Sequence, residues 1–161
     1  KRDWSSDVCS SDLFVKRDDT LGFAFGGNKV RKLALIGARA QRDGCDTLIT
    51  AGGLQSNHAR VTAATAVKLG MRAVLVVNGE PQERRSANAL LYGFLGAEVI
   101  YVAERDGRAD AMRHAADALA MQGRKVCEIP IGGSTPLGAM AFVHGLLELL
   151  DQMPEIGRAH V

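Results

Sequence analysis

The sequence predicts an α/β fold, a three-layer parallel sheet with helices on both faces. Three observations carry that prediction. Short apolar, β-branched runs alternate with longer helical patterns between residues 47 and 129, the signature of βαβ units. Residues 73–77, Ala-Val-Leu-Val-Val, form a continuous apolar run of the kind that is buried on both faces in a parallel sheet. The first four helical patterns each close at or near a glycine, namely Gly44, Gly70, Gly96 and Gly123, where a left-handed residue ends a helix without steric penalty.

Each element follows in order. Residues 14–16 (Phe-Val-Lys) are a β-rich stub, the truncated start of a strand, and residues 17–20 are a loop. From Lys29 the apolar positions Val30, Leu33, Ala34, Ile36, Gly37 and Ala40 keep a helical period up to Gly44. Residues 47–51 form a strand bounded by Gly52 and Gly53, and residues 56–69 an alanine-rich amphipathic helix. Strands follow at 73–77, 98–102 and 126–129, with helices at 88–95 and 109–121. Pro136, behind Ser134 and Thr135 as cap candidates, opens a last helix through Leu150.

Composition bounds the function. The 161 residues are 47% hydrophobic and 24% charged, which is globular. A net charge of +2 offers no basic stripe for nucleic acid and no polybasic membrane patch. No apolar run approaches the ~20 residues of a membrane span, and the three cysteines form no CxxC pair, so neither a disulfide scaffold nor a metal site is expected. A cytoplasmic location is the expectation. Cys45 and Cys127 flank strands and read as small buried hydrophobes; His114 and His144 read as structural or surface helix residues.

The two ends are expected to have a different origin. Residues 7–13, Asp-Val-Cys-Ser-Ser-Asp-Leu, back-translate to a DNA whose reverse complement encodes Glu155-Ile-Gly-Arg-Ala-His-Val161 in frame. Seven codons agreeing in this way point to a sequencing adapter ligated in inverted orientation at both ends of an insert. Residues 1–13 and 155–161 are therefore expected to be adapter-derived, with a native slice between.

Ligands in open α/β sheets sit beyond the carboxyl ends of the strands, and three glycine turns lie at such places. At Gly26-Gly27-Asn28-Lys29, a helix opens with Lys29, Arg31 and Lys32, where the macrodipole disfavours cations. Lys29 and Lys32 share a face. A positive helix end and a second ammonium both favour a neutral Lys29 amine, as Schiff-base chemistry requires; on spacing alone the reading as solvated surface charges is the favoured one. At residues 52–58 (Gly-Gly-Leu-Gln-Ser-Asn-His) either Ser56 or Asn57 falls at a helix N-terminus, an ordinary cap or an anion site. Alone, His58 is a polar helix residue. Gly132-Gly133-Ser134-Thr135 is either an anion nest or a turn with an N-cap.

Together these motifs resemble a known family. Residues 16–19 (Lys-Arg-Asp-Asp), 25–33 (Phe-Gly-Gly-Asn-Lys-Val-Arg-Lys-Leu), 50–58 (Thr-Ala-Gly-Gly-Leu-Gln-Ser-Asn-His), 130–134 and 137–139 are similar, in order, to the D-cysteine desulfhydrases and 1-aminocyclopropane-1-carboxylate deaminases. Those are pyridoxal 5'-phosphate enzymes of the tryptophan-synthase-β-like fold type. The resemblance implies that Lys29 holds the cofactor covalently and carries protons, and that Asn57 hydrogen-bonds the pyridine ring oxygen. Ser56 would stand beside the substrate for proton transfer, with Ser56, Asn57 and His58 forming the substrate-side loop. His58 after Gln-Ser-Asn, where cyclopropane deaminases carry Gln, leans toward a desulfhydrase-like lyase that releases a keto acid and ammonia.

The family's chains are about twice this length. The resemblance therefore implies residues 14–44 as part of a large domain, 45–130 as a small α/β domain, and 131–154 as the return to the large one. It also implies a homodimer in the full-length parent, and a fragment inactive alone because the phosphate loop would follow Pro154. Two rivals belong to other classes. A nucleotide-binding module is weakened by the lack of a GxGxxG after the first strand. A non-catalytic regulatory domain is weakened by the intact Lys29, Ser56 and Asn57.

Overall fold

A computed structural model describes residues 15–153. Both of the expected adapter-derived ends lie outside the described residues. The element order is α1 (Asn28–Arg42), β1 (Thr47–Gly53), α2 (Asn57–Leu69), β2 (Arg72–Asn78), α3 (Ala87–Phe94), β3 (Glu98–Val102), α4 (Arg108–Met121), β4 (Val126–Ile129) and α5 (Pro136–Gln152). The four strands form one parallel sheet in the order β3-β2-β1-β4.

Alternation along the central strands divides the core in two. Leu48, Leu75 and Val77 face α2 and, beyond it, α1, whereas Ile49 and Val74 face Ala116 and Leu119 of α4. Helices thus cover both faces, as expected. α1 buries Leu33, Ile36, Gly37 and Ala40, and Gly37 permits a close crossing with α2. A methyl group there would stand 2.7 Å from Thr65 Cγ2.

The glycine stops are Schellman motifs. Gly44, Gly70, Gly96 and Gly123 all have positive φ. In each, the next residue's N–H reaches back over the turn: Cys45 to Ala40, Met71 to Ala66, Ala97 to Tyr92 and Arg124 to Leu119, at 2.8–3.1 Å.

Three expectations are adjusted. β1 runs on through Gly52 and Gly53, which pair with Val77 and Asn78, because ladder bonds need only backbone. Residues 15 and 16 join no strand; Phe14 lies outside the described residues. The expected loop at 17–20 contains a 3-10 turn at Asp18–Thr20. That turn is tied down by Arg31, whose guanidinium bonds the Asp18 carboxylate at 2.9–3.0 Å and that of Glu148 on α5 at 2.9–3.0 Å. Lys16 joins the same Glu148 at 3.2 Å.

Cys45 and Cys127 are half-buried, and burial pushes the Cys127 thiol up to about 11. His114 and His144 are exposed on α4 and α5. Among the described residues no helix is long and apolar enough to cross a membrane, and no cluster of ligating side chains could hold a metal ion. α5 leaves Phe142, Val143, Leu146, Leu147 and Leu150 exposed, a larger apolar stripe than isolated surface residues would make.

Candidate functional site

The site forms where β1 and β4 end side by side. β4 pairs Ile129 with Thr50, and the chain leaves β4 through Pro130 into a tight turn at Ile131–Gly133. That turn delivers the Gly132 carbonyl to the first turns of α1. Lys29 Nζ donates to it at 3.3 Å and Lys32 Nζ at 3.1 Å. The two ammonium groups therefore converge on one oxygen about a hundred residues away, and neither is a fully solvated charge. Burial first, then the Lys32 charge, pulls the Lys29 amine below the usual lysine range. Lys32 also lies over the Phe142 ring, 5.5 Å from its centroid.

Gly132 and Gly133 both have positive φ, which glycine adopts at no steric cost. Two of the turn's four N–H groups are used internally. The Gly133 N–H is taken by the Pro130 carbonyl and that of Thr135 by the Gly133 carbonyl, so the turn offers a carbonyl to cations. Thr135, rather than Ser134, caps α5, its Oγ1 accepting from the Gly138 N–H at 2.9 Å.

The second glycine turn resolves in favour of Ser56 as the cap of α2. Its Oγ accepts from the Ala59 N–H at 3.2 Å, leaving its own hydroxyl hydrogen to donate elsewhere. Gly52 makes this possible, since a methyl group there would stand 2.7 Å from Ser56 Oγ. Asn57 occupies the first helical position and is exposed. Its Oδ1 accepts from Arg60 Nη1 and from Asn88 Nδ2, each at 3.0 Å.

His58 lies in the interior, 3% exposed, with its ring bonded to Thr50. Thr50 Oγ1 gives its single hydrogen to the Ile129 carbonyl at 2.7 Å. It must therefore accept from His58 Nε2, 3.0 Å away, which leaves Nδ1 unprotonated and without a partner. Burial, then the charges of Lys29 and Lys32, lower the imidazole to about 4, so the ring is neutral at physiological pH.

Sequence reasoning did not find Thr50, Arg60, Asn88 or the Gly132 carbonyl. Arg60 carried one local signal, since it stands three residues after Asn57 and so shares its helix face. The others meet the site only through the fold.

Lys29 meets the turn that follows β4, and Ser56 and Asn57 open α2 beyond the end of β1. Ligands of parallel α/β sheets bind beyond such strand ends, and the groups offered at this site are a depressed lysine amine, a serine hydroxyl and an asparagine amide. Its chemistry suits an aldehyde and an oxygen anion. The chain belongs to the pyridoxal-phosphate dependent enzyme family, whose model matches residues 3–160. It is 40% identical over 152 residues to a D-cysteine desulfhydrase of Klebsiella pneumoniae (strain 342), covering 91% of this chain and 46% of that one. A 1-aminocyclopropane-1-carboxylate deaminase candidate of Pyrococcus abyssi is 43% identical over 150 residues, covering 91% and 44%. The crystal structure of a 1-aminocyclopropane-1-carboxylate deaminase homologue superposes with a TM-score of 0.81 at 37% identity, over 88% of this chain and 43% of that one. The chain thus spans about half the length of the relatives it matches.

The described residues fit one end of the family's cofactor. A lysine amine held below its usual range is the group that condenses with an aldehyde, and an amide with both N–H bonds unused suits an oxygen anion.

Proposed function

We propose that this chain is the lysine-bearing half of a pyridoxal-phosphate dependent lyase acting on D-cysteine or a related small amino acid by β-elimination, expelling the β-substituent (sulfide from D-cysteine) and giving, with water, a keto acid and ammonia. The observation that carries the reading is that Lys29 and Lys32 are drawn together at the Gly132 turn, because partial burial and the neighbouring Lys32 charge favour the neutral amine of Lys29. Pyridoxal phosphate, when bound, supplies the electron sink for a carbanion beside the amino group.

Each residue then has its own task. Lys29 Nζ holds the cofactor and moves protons at the reacting carbon. Asn57 Nδ2 donates to the ring oxygen. The Ser56 hydroxyl orients the substrate or passes it a proton, and the free N–H groups at the start of α2 receive its carboxylate. His58 serves the substrate-side loop from behind, as a neutral buried ring bonded to Thr50. Residues 14–44 and 131–154 belong in this reading to a large domain and 45–130 to a small one. The packing of α1 against α5 outside the sheet supports that division. The remaining half would cover the apolar stripe of α5 and complete the cofactor site, so the present chain is inactive alone. A homodimer and a cytoplasmic location complete the proposal.

His58 in the Gln-Ser-Asn-His run supports the desulfhydrase reading. The 43% identity to the Pyrococcus abyssi protein supports the alternative, a 1-aminocyclopropane-1-carboxylate deaminase. The test is borohydride reduction in pyridoxal phosphate, followed by peptide mapping, on this chain and on a longer protein recovered by extending the gene past Pro154. Label confined to Lys29 in the longer protein is expected; absence of label there would overturn the proposal. Release of pyruvate from D-cysteine, against 2-oxobutyrate from the cyclopropane substrate, decides between the two activities.

A further inference from the structure

We propose that Arg60 is a positioning residue that fixes the Asn57 amide with its N–H groups facing outward and tethers the turn ahead of Lys29. A guanidinium donates hydrogen bonds and never accepts them. Arg60 Nη1 reaches Asn57 Oδ1 and Asn88 Oδ1, each at 3.0 Å. Whatever atom faces it must be an oxygen, so one charged group sets the orientation of both amides.

The rest of the constellation is closed. Asn88 Nδ2 uses its two hydrogens on the Gln55 carbonyl at 2.8 Å and Asn57 Oδ1 at 3.0 Å. The Asn88 backbone N–H is taken by Gln55 Oε1 at 2.9 Å. Asn57 Oδ1 has both lone pairs occupied. Among the described residues the side-chain group left without a partner in this ring of amides is Asn57 Nδ2, a two-hydrogen donor on an exposed residue.

The same guanidinium holds the lysine's turn. Arg60 Nη2 donates to the Gly26 carbonyl at 3.1 Å, and the Phe25 ring lies 6.0 Å from the guanidinium carbon. Ala24, Phe25, Gly26 and Gly27 all have positive φ, a strained run immediately before the helix that carries Lys29. Ala87, beside Asn88, is the remaining non-glycine residue with positive φ among those described. Every such residue therefore adjoins a group that Arg60 grips, and strain of this kind persists only where surrounding contacts over-determine it. Arg60 Nε is itself buried without a partner, a cost the network carries.

The inference rests on the assignment of Asn57 to the cofactor's ring oxygen, and the experiment separates the two. The visible band of the Lys29-bound cofactor has a pH midpoint set by the proton shared between the lysine nitrogen and that oxygen. A donor on the oxygen weakens its hold on the proton, so losing the donor raises the midpoint. In the longer, cofactor-loaded protein, Arg60→Met is expected to raise it by up to about one pH unit, the tenfold change of one lost charge-assisted bond. Arg60→Lys, which also only donates, should restore most of it. In an Asn57→Ala background Arg60→Met should leave the midpoint unmoved, because its effect passes through that amide.

On the chain without cofactor, nitrogen-edited NMR should show the Asn57 side-chain hydrogens shifting and exchanging faster in Arg60→Met and Asn88→Ala than in the wild type. An unchanged Asn57 amide, or a midpoint shift of the same size with Asn57 removed, would overturn the role of Arg60. Wild-type protein that binds no cofactor at Lys29 would instead overturn the functional reading, while the NMR result still decides the orientation.

Discussion

The buried ring of His58 makes acid stability a measure of how the site is built. Burial and the two lysine charges hold its imidazole at about 4, against an ordinary 6.5. Above 6.5 the ring is neutral in both the folded and unfolded chain and has no effect. As the pH falls below 6.5 the unfolded chain takes up a proton that the folded one refuses, so stability is lost progressively down to about 4 and levels off below. One pKa unit corresponds to about 1.4 kcal/mol, which makes the total loss roughly 3 kcal/mol. Against a typical folding stability of about 5–15 kcal/mol, that is a large fraction.

The assay is urea unfolding of wild type and His58→Gln at several values from near-neutral to about pH 4. The variant starts less stable, because the Thr50 bond and the packing are disturbed. Its deficit should shrink by roughly 3 kcal/mol as the pH falls, since glutamine does not titrate. Parallel pH curves for the two proteins would refute the reasoning, as would an NMR midpoint for the His58 ring near its ordinary value.

Three further outcomes are expected. Gly26→Ala puts a methyl group 2.3 Å from the Asp19 carbonyl oxygen at φ +68°. Gly27→Ala, at φ +96°, meets open space. Thermal unfolding should show both variants destabilised: the second by about 1–3 kcal/mol, because its φ +96°, ψ 161° backbone is essentially confined to glycine, and the first by well over the ~1 kcal/mol of a left-handed backbone, because the clash with Asp19 adds to it. Ser56→Ala removes the cap of α2 and should lower stability by about 1 kcal/mol, with Ser56→Asp recovering most of it. The Glu148 carboxyl is held at about 2 by hydrogen bonds from Arg31 and then Lys16, against its ordinary 4.5. The stability it contributes is present above 4.5 and lost as the pH falls toward 2. Acid unfolding of Glu148→Gln should be flatter than wild type across that window.

The elements were legible because their causes are local. The 3.6-residue spacing of Leu33, Ile36 and Ala40, the run 73–77 and the glycine stops each act within a few residues, so periodicity and cap chemistry reveal them. Lys29, Ser56 and Asn57 were legible as candidates for the same reason, each being marked by a glycine turn at a strand end or helix start. Spacing alone did not tell what they do; only the family resemblance implied roles for them. Whether Lys29 is a solvated charge depends on the Gly132 carbonyl, and that carbonyl arrives only because β4 crosses back to pair with β1.

The sequence by itself determined the α/β alternation, the helix ends and the family resemblance. The tertiary structure decided the rest: which cation meets which acceptor, that His58 turns inward to Thr50 while Asn57 faces out, and that Arg60 and Asn88 lock the amide between them. The physical reason is that hydrogen-bond partners of charged and amide groups are chosen across the chain, at separations of 28 residues for Arg60 and Asn88 and 103 for Lys29 and Gly132. No local pattern records those distances, because the order of strands in the sheet sets them.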